Sequence, residues 1–175
     1  MSFLPEVRAG KIGLLIGPRA EREAMLRIAA ALVLRGAVHV LDAGNSFDAY
    51  RVARHIRRHT PRLTEALERI SVARAFTCYQ VLTLFEQTKA TGTPQLVMDL
   101  LATFCDENVS QAESERLLEL VVDHMLRLRR GGPVMVSIQY PRQAERQGLV
   151  HILQKMADHV YAHEIPTTTP SPRLF

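Results

Sequence analysis

An alternation constrains this chain more than any other feature of its sequence. Short apolar runs recur along it, separated by segments whose apolar residues return at helical spacing. Residues 12–16 form the first run, closed by Gly17-Pro18. Residues 20–34 then place Ala24, Leu26, Ile28, Ala31 and Leu32 at helical steps, with Gly36 as a stop. A second run, 37–41, ends at Asp42, and Ser46 stands where it can cap a helix to about His59, which Pro61 breaks. A third run covers 70–73, and 77–89 is helical with Val81, Leu82, Leu84 and Phe85 inward. The fourth run is 95–99. Ser110, with Glu113 three residues on, is a capping box for a long helix to Arg130, closed by Gly131-Gly132-Pro133. Residues 134–138 are the fifth run, 143–158 a last helix, and 159–163 an added edge strand.

Runs that are apolar throughout, rather than on alternate residues, belong to strands covered on both faces. The expected fold is therefore α/β, a mostly parallel sheet flanked by helices on both faces. With 175 residues and 47% hydrophobic content, one core is expected, in a single domain over 1–164. Residues 165–175, rich in Thr and Pro, read as an extended tail. Ligands of such sheets bind outside the carboxyl ends of the strands, which here are Gly17, Asp42, Arg74, Asp99 and Gln139.

The first of those ends is where a phosphate loop would sit. G-x-x-x-x-G-K-[ST] works because glycines let backbone N–H groups curl around phosphates, the lysine neutralises charge and the hydroxyl holds Mg²⁺. Aligned from Gly17, the chain reads Gly-Pro-Arg-Ala-Glu-Arg-Glu-Ala. Arg22 stands at the second glycine, Glu23 at the lysine and Ala24 at the hydroxyl, and Pro18 removes a donor. By spacing alone this is as well read as an ordinary strand–helix turn.

Other segments add to it. Leu41-Asp42-Ala43-Gly44-Asn45-Ser46-Phe47 is similar to the second-strand motif Asp-Thr-Glu-Gly-Thr-Phe of the RecA/RadA recombinase family. Residues 70–76, Ile-Ser-Val-Ala-Arg-Ala-Phe, resemble the family's Ala-Arg-Ala-Phe strand end. Leu96-Val97-Met98-Asp99 resembles its Walker B strand, and Val136-Ser137-Ile138-Gln139 a strand ending in its glutamine. The chain thus resembles a RecA-like ATPase core over about residues 10–164. The resemblance implies a Walker B-like role for Asp99 and a sensor-like one for Gln139.

The departures are equally specific. The family's catalytic glutamate falls on Gly44, and the hydroxyl that would share a metal with Asp99 falls on Ala24. The segments after Asp99 and Gln139 are shorter than the family's two DNA-binding loops. Together these predict a RecA-like relative without a working P-loop: no ATP hydrolysis, no cofactor and no enzymatic activity. RecA-like domains assemble side by side, so the resemblance implies action through a protein partner or self-association, in DNA recombination, repair or its regulation. Division inhibitors of the SulA type, also P-loop-less relatives, show how such a protein blocks a partner's assembly.

Two alternatives stay open. Arg22 or Arg19 replacing the missing lysine would leave a residual nucleotide-binding ATPase. Arg51, Arg54, Arg58 and Arg62 fall on one side of a helix and would bind nucleic acid directly, or form a solvated face. Nineteen of the 22 basic residues are arginine and the net charge is +4, which permits anionic partners without requiring them. No aromatic residues interleave with the arginines as a stacking platform needs. Arg127, Arg129 and Arg130 suit a helix C-terminus. The i, i+4 pairs His55/His59 and His159/His163 lack the Cys or carboxylate partners of a zinc set, so no metal is expected. Leu174 and Phe175 faintly resemble the end of a sliding-clamp-binding peptide, although Ser171 stands where such peptides carry glutamine. Residues 1–11 lack the apolar stretch of a signal peptide, and charges interrupt every apolar segment before membrane-spanning length. Cys78 and Cys105, without metal spacing, point to free thiols in a reducing compartment, the cytoplasm.

Overall fold

A computed structural model of the protein describes residues 5–163. The tail 165–175, with Leu174 and Phe175, lies outside the described residues. The strands are β1 (Ile12–Ile16), β2 (Val38–Asp42), β3 (Ile70–Arg74), β4 (Gln95–Met98), β5 (Val134–Ile138) and β6 (His159–Ala162). The helices are α1 (Arg22–Val33), α2 (Ala49–Arg57), α3 (Leu63–Glu68), α4 (Cys78–Gln87), α5 (Gln111–Leu128) and α6 (Gln147–Met156). The six strands form one sheet in the order β3-β2-β4-β5-β1-β6, and every pairing is parallel. This is the expected α/β class, and its architecture is consistent with a RecA-like fold.

Successive residues of each central strand feed opposite faces. On one face Leu15, Val40, Leu96 and Met135 pack with Met25, Leu26 and Val33 of α1, Val52 and Ile56 of α2 and Ala66 of α3. On the other Leu14, Leu41, Val97 and Val136 pack with Phe85 of α4, Leu117, Leu118 and Val121 of α5 and Leu153 of α6. The division follows the path of the chain. Crossovers moving toward β3 carry α1, α2 and α3, while those returning toward β6 carry α4, α5 and α6. A single handedness for parallel crossovers puts the two directions on opposite faces. Each fully buried Leu or Ile contributes about 1.5–3 kcal/mol, so these two layers hold the strand ends in fixed register.

Local signals set the element ends. Ser110 Oγ accepts the Glu113 N–H at 3.2 Å, opening α5 as expected. The cap of α2 is not Ser46 but Asp48, whose side chain accepts the Arg51 N–H at 3.1 Å. Ser46 is unavailable because its N–H and Oγ both turn to Asp42. Beyond Pro61 the chain makes the short helix α3, which the sequence reading lacked. Residue 99 leaves the fourth strand with φ 50. No helix among the described residues is long and apolar enough to cross a membrane.

Candidate functional site

All strands being parallel, Gly17, Asp42, Asp99 and Gln139 come to one end of the sheet. The loop after β1 is built by an unusual backbone. Gly17 is extended, Pro18 opens a short 3-10 turn, and Arg19, Ala20 and Glu21 are all left-handed, at φ 53, 51 and 48. Each such residue without a glycine's freedom costs on the order of 1 kcal/mol.

That turn folds the Glu21 side chain back onto Gly17. A Cβ at Gly17 would collide with the Glu21 carboxylate, lying 2.8 Å from its Cδ. The carboxylate is anchored there by a 2.7 Å hydrogen bond with His163 Nδ1, just past β6. Two of the local N–H groups are committed as well. Gly17 N–H donates to Ile138 O at 3.1 Å and Ala20 N–H to Gly17 O at 3.1 Å, while Pro18 has none.

The residues at the other phosphate-loop positions are also tied elsewhere. Arg22 donates from Nε to Ser46 O at 2.7 Å and pairs with Asp48 at 3.5 Å. Glu23, at the lysine position, points away from the loop to His55 at 2.8 Å and Arg51 at 3.3 Å. The His55 hydrogen bond, helped by Arg51, holds its carboxyl below the usual range. Ala24 packs against the α1 core layer. The carboxylate that fills the cradle is therefore Glu21, not the Glu23 that the alignment points to.

The neighbouring strand ends hold a pair of acidic residues with unlike roles. Asp42 is fully buried and accepts from Ser46 N at 2.9 Å, Phe47 N at 3.0 Å and Arg74 Nε at 3.1 Å. Arg74 also donates to Phe47 O at 3.1 Å, so this ion pair organises the loop after β2. Asp99 has no such support. Its N–H donates to Ser137 Oγ at 3.1 Å, but its buried Oδ1 has no hydrogen-bond partner. Desolvation, reinforced by the charge of Asp42, pushes its carboxyl up to about 6. It packs against Gly44: a Cβ there would lie 2.5 Å from Asp99 Cβ and 2.7 Å from Oδ2. Gln139 is exposed just beyond β5, lining with Cys105, Tyr140 and Arg142 a cleft of about 210 Å³.

Among the described residues no group of three or more His, Cys, Asp or Glu is placed to hold a metal ion. Burial pushes both thiols, Cys78 and Cys105, upward, so neither is an activated nucleophile.

The segment after Asp99 is held by a buried arginine that its sequence pattern does not reveal. Arg146, buried at the start of α6, donates from Nη1 to Ser114 Oγ at 2.6 Å and Phe104 O at 3.3 Å, and from Nη2 to Asp106 O at 3.3 Å and to Val109 O. It clamps the segment after Asp99 onto α5 and α6. Nothing in its sequence context separates it from the other arginines.

The basic helix also changes composition in three dimensions. Arg51, Arg54 and Arg58 line a groove between α1 and α2, joined by Arg27 from α1. Arg62 is not in that groove; it sits at the start of α3, 3.9 Å from Glu65. Of the C-terminal cluster on α5, Arg127 donates to Phe85 O at 2.8 Å and Arg129 pairs with Asp158 at 3.4 Å. Compared with known proteins, the chain matches no family model, and no curated protein is significantly similar to it.

Proposed function

We propose that the protein is a non-catalytic RecA-like protein that acts through protein–protein contacts, with DNA recombination, repair or their regulation as its setting. The observation that carries this reading is the Glu21 carboxylate seated on Gly17 and anchored to His163 at 2.7 Å. It puts a negative charge where a phosphate would have to lie. Two like charges about 4 Å apart repel by about 4 kcal/mol at an effective dielectric constant of 20. Arg22 is held by Ser46 and Asp48, and Ala24 offers no hydroxyl. Gly44 offers no carboxylate to activate a water. Loss of the cradle, the cation, the metal ligand and the water activator in one place supports a retired catalytic centre rather than an altered one.

What remains accessible suits contact with another protein. The strand β3 ends the sheet, with its outer edge unpaired among the described residues. Phe76 and Tyr79, 66% and 51% exposed, lie just beyond it. Open strand edges and exposed aromatic side chains are the features protein partners use.

Sedimentation velocity over a wide concentration range, alone and with candidate recombination and repair proteins, tests the reading. Concentration-dependent self-association, or a co-sedimenting complex weakened by Phe76→Ala, is expected. A strict monomer that joins none of them would overturn it.

A further inference from the structure

The groove between α1 and α2 is strongly cationic, and the reading above assigns it nothing. It measures about 590 Å³ and is lined by Arg27 from α1, by Arg51, Arg54 and His55 from α2 and by Arg58 and His59 just past its end, with Glu23 the one carboxylate. Glu23 is itself taken up by Arg51 and His55, at 3.3 and 2.8 Å. Arg54 and Arg58, both exposed, make no ion pair among the described residues. Unpaired guanidinium groups side by side repel each other, and nothing in the fold requires them, since Val52, Ala53 and Ile56 already hold α2 to the sheet.

We infer that this groove binds the sugar–phosphate backbone of a double-helical nucleic acid, without reading its sequence. Guanidinium is the side chain that best matches phosphate, since its planar fork gives two parallel charge-assisted bonds. Arg51, Arg54 and Arg58 repeat along one helix face, spanning about 10 Å at the helical rise of about 1.5 Å per residue. That span covers about three phosphates of a strand rising about 3.4 Å per nucleotide. Arg27 stands on the opposite wall, so the cations form a trough rather than a flat patch. The aromatic side chains that a single-strand site uses to stack bases are absent from the lining, which favours a duplex held by its backbone. The site lies on the α1–α2 layer, away from the loops after β4 and β5.

The test is fluorescence anisotropy of a labelled duplex of random sequence, titrated with the full chain at several salt concentrations. Arg51 is shared with Glu23 and Asp48, at 3.3 and 3.5 Å, so neutralising about two to three phosphates predicts a slope of log K against log salt of about −2. Arg54→Glu/Arg58→Glu is expected to weaken binding at low salt at least tenfold and to flatten the slope. It should leave the melting temperature unchanged, because both side chains are exposed and unpaired. Arg130→Glu/Arg142→Glu, elsewhere on the surface, should leave affinity within about twofold. No binding at low salt, binding indifferent to Arg54 and Arg58, or binding to anionic phospholipid vesicles in place of the duplex would each overturn the inference.

Discussion

Asp99 occupies the space in which a side chain on Gly44 would stand, its Cβ 2.5 Å from where the Gly44 Cβ would be. The two residues come from different strand ends, β4 and β2, and each explains the other. Asp99 leaves its strand with a left-handed backbone, and this lays its carboxyl over residue 44. The glycine is the only residue small enough to receive it. In the resemblance that the sequence carries, residue 44 would hold the group that activates water. Here the same volume holds a carboxyl group short of one hydrogen-bond partner.

Gly44→Ala therefore forces the Asp99 backbone region to shift, because the clash is with Cβ and not with the far end of a flexible side chain. Overpacking of this kind costs about 1–3 kcal/mol. Denaturant unfolding should show that loss with an unchanged m-value. A variant as stable as the parent would show that the pair is loosely packed.

The carboxyl of Asp99 makes stability depend on pH in a direction opposite to that of most carboxylates. Its folded pKa, about 6, lies above the ordinary value of 3.8. The folded protein binds that proton more tightly than the unfolded chain does. The contribution is complete below about pH 4 and is lost as pH rises through about 6, a change of order 2–3 kcal/mol. Unfolding free energies measured from pH 4 to 7 should carry this fall in the parent and lack it in Asp99→Asn. Identical profiles for the two would contradict the assignment.

Arg146 should be among the least replaceable surface-distant residues of the α5–α6 side. Removing it takes the guanidinium donor from Ser114 Oγ and Val109 O and leaves Phe104 O with the Ser114 hydroxyl alone. Arg146→Ala is expected to cost about 3 kcal/mol or more. Arg146→Lys should recover little, since a single ammonium cannot serve two sets of acceptors. Hydrogen exchange in residues 104–110 would report the freed segment; unchanged protection there would contradict the clamp.

The strands were legible because a strand covered on both faces must be apolar at every position, as Ile12–Ile16 and Val134–Ile138 are. Helix α5 announced itself through Ser110 and Glu113. The cap of α2 did not, because Ser46 and Asp48 are both competent and only the fold shows that Asp42 claims Ser46. Helix α3, of six residues, is too short for periodicity to register. At the site, the missing lysine and hydroxyl were plain from Glu23 and Ala24. The plug was not: three consecutive left-handed residues without glycine run against local preference, so only the folded loop shows that Glu21 reaches Gly17. The basic stripe was read from one helix, whereas the groove brings Arg27 from α1 beside Arg51, Arg54 and Arg58 and leaves Arg62 at the start of α3.

The central claim is that the loop after β1 no longer accepts a nucleotide, and melting temperature with and without saturating MgATP tests it most directly. A nucleotide present at about a hundred times its Kd would stabilise the fold by about 2.7 kcal/mol, raising Tm by roughly 5–10 °C for a chain of this size. With Glu21 on Gly17 and Arg22 tied to Ser46, no shift and no phosphate release are expected. A Tm rise of several degrees that depends on the triphosphate would contradict the account.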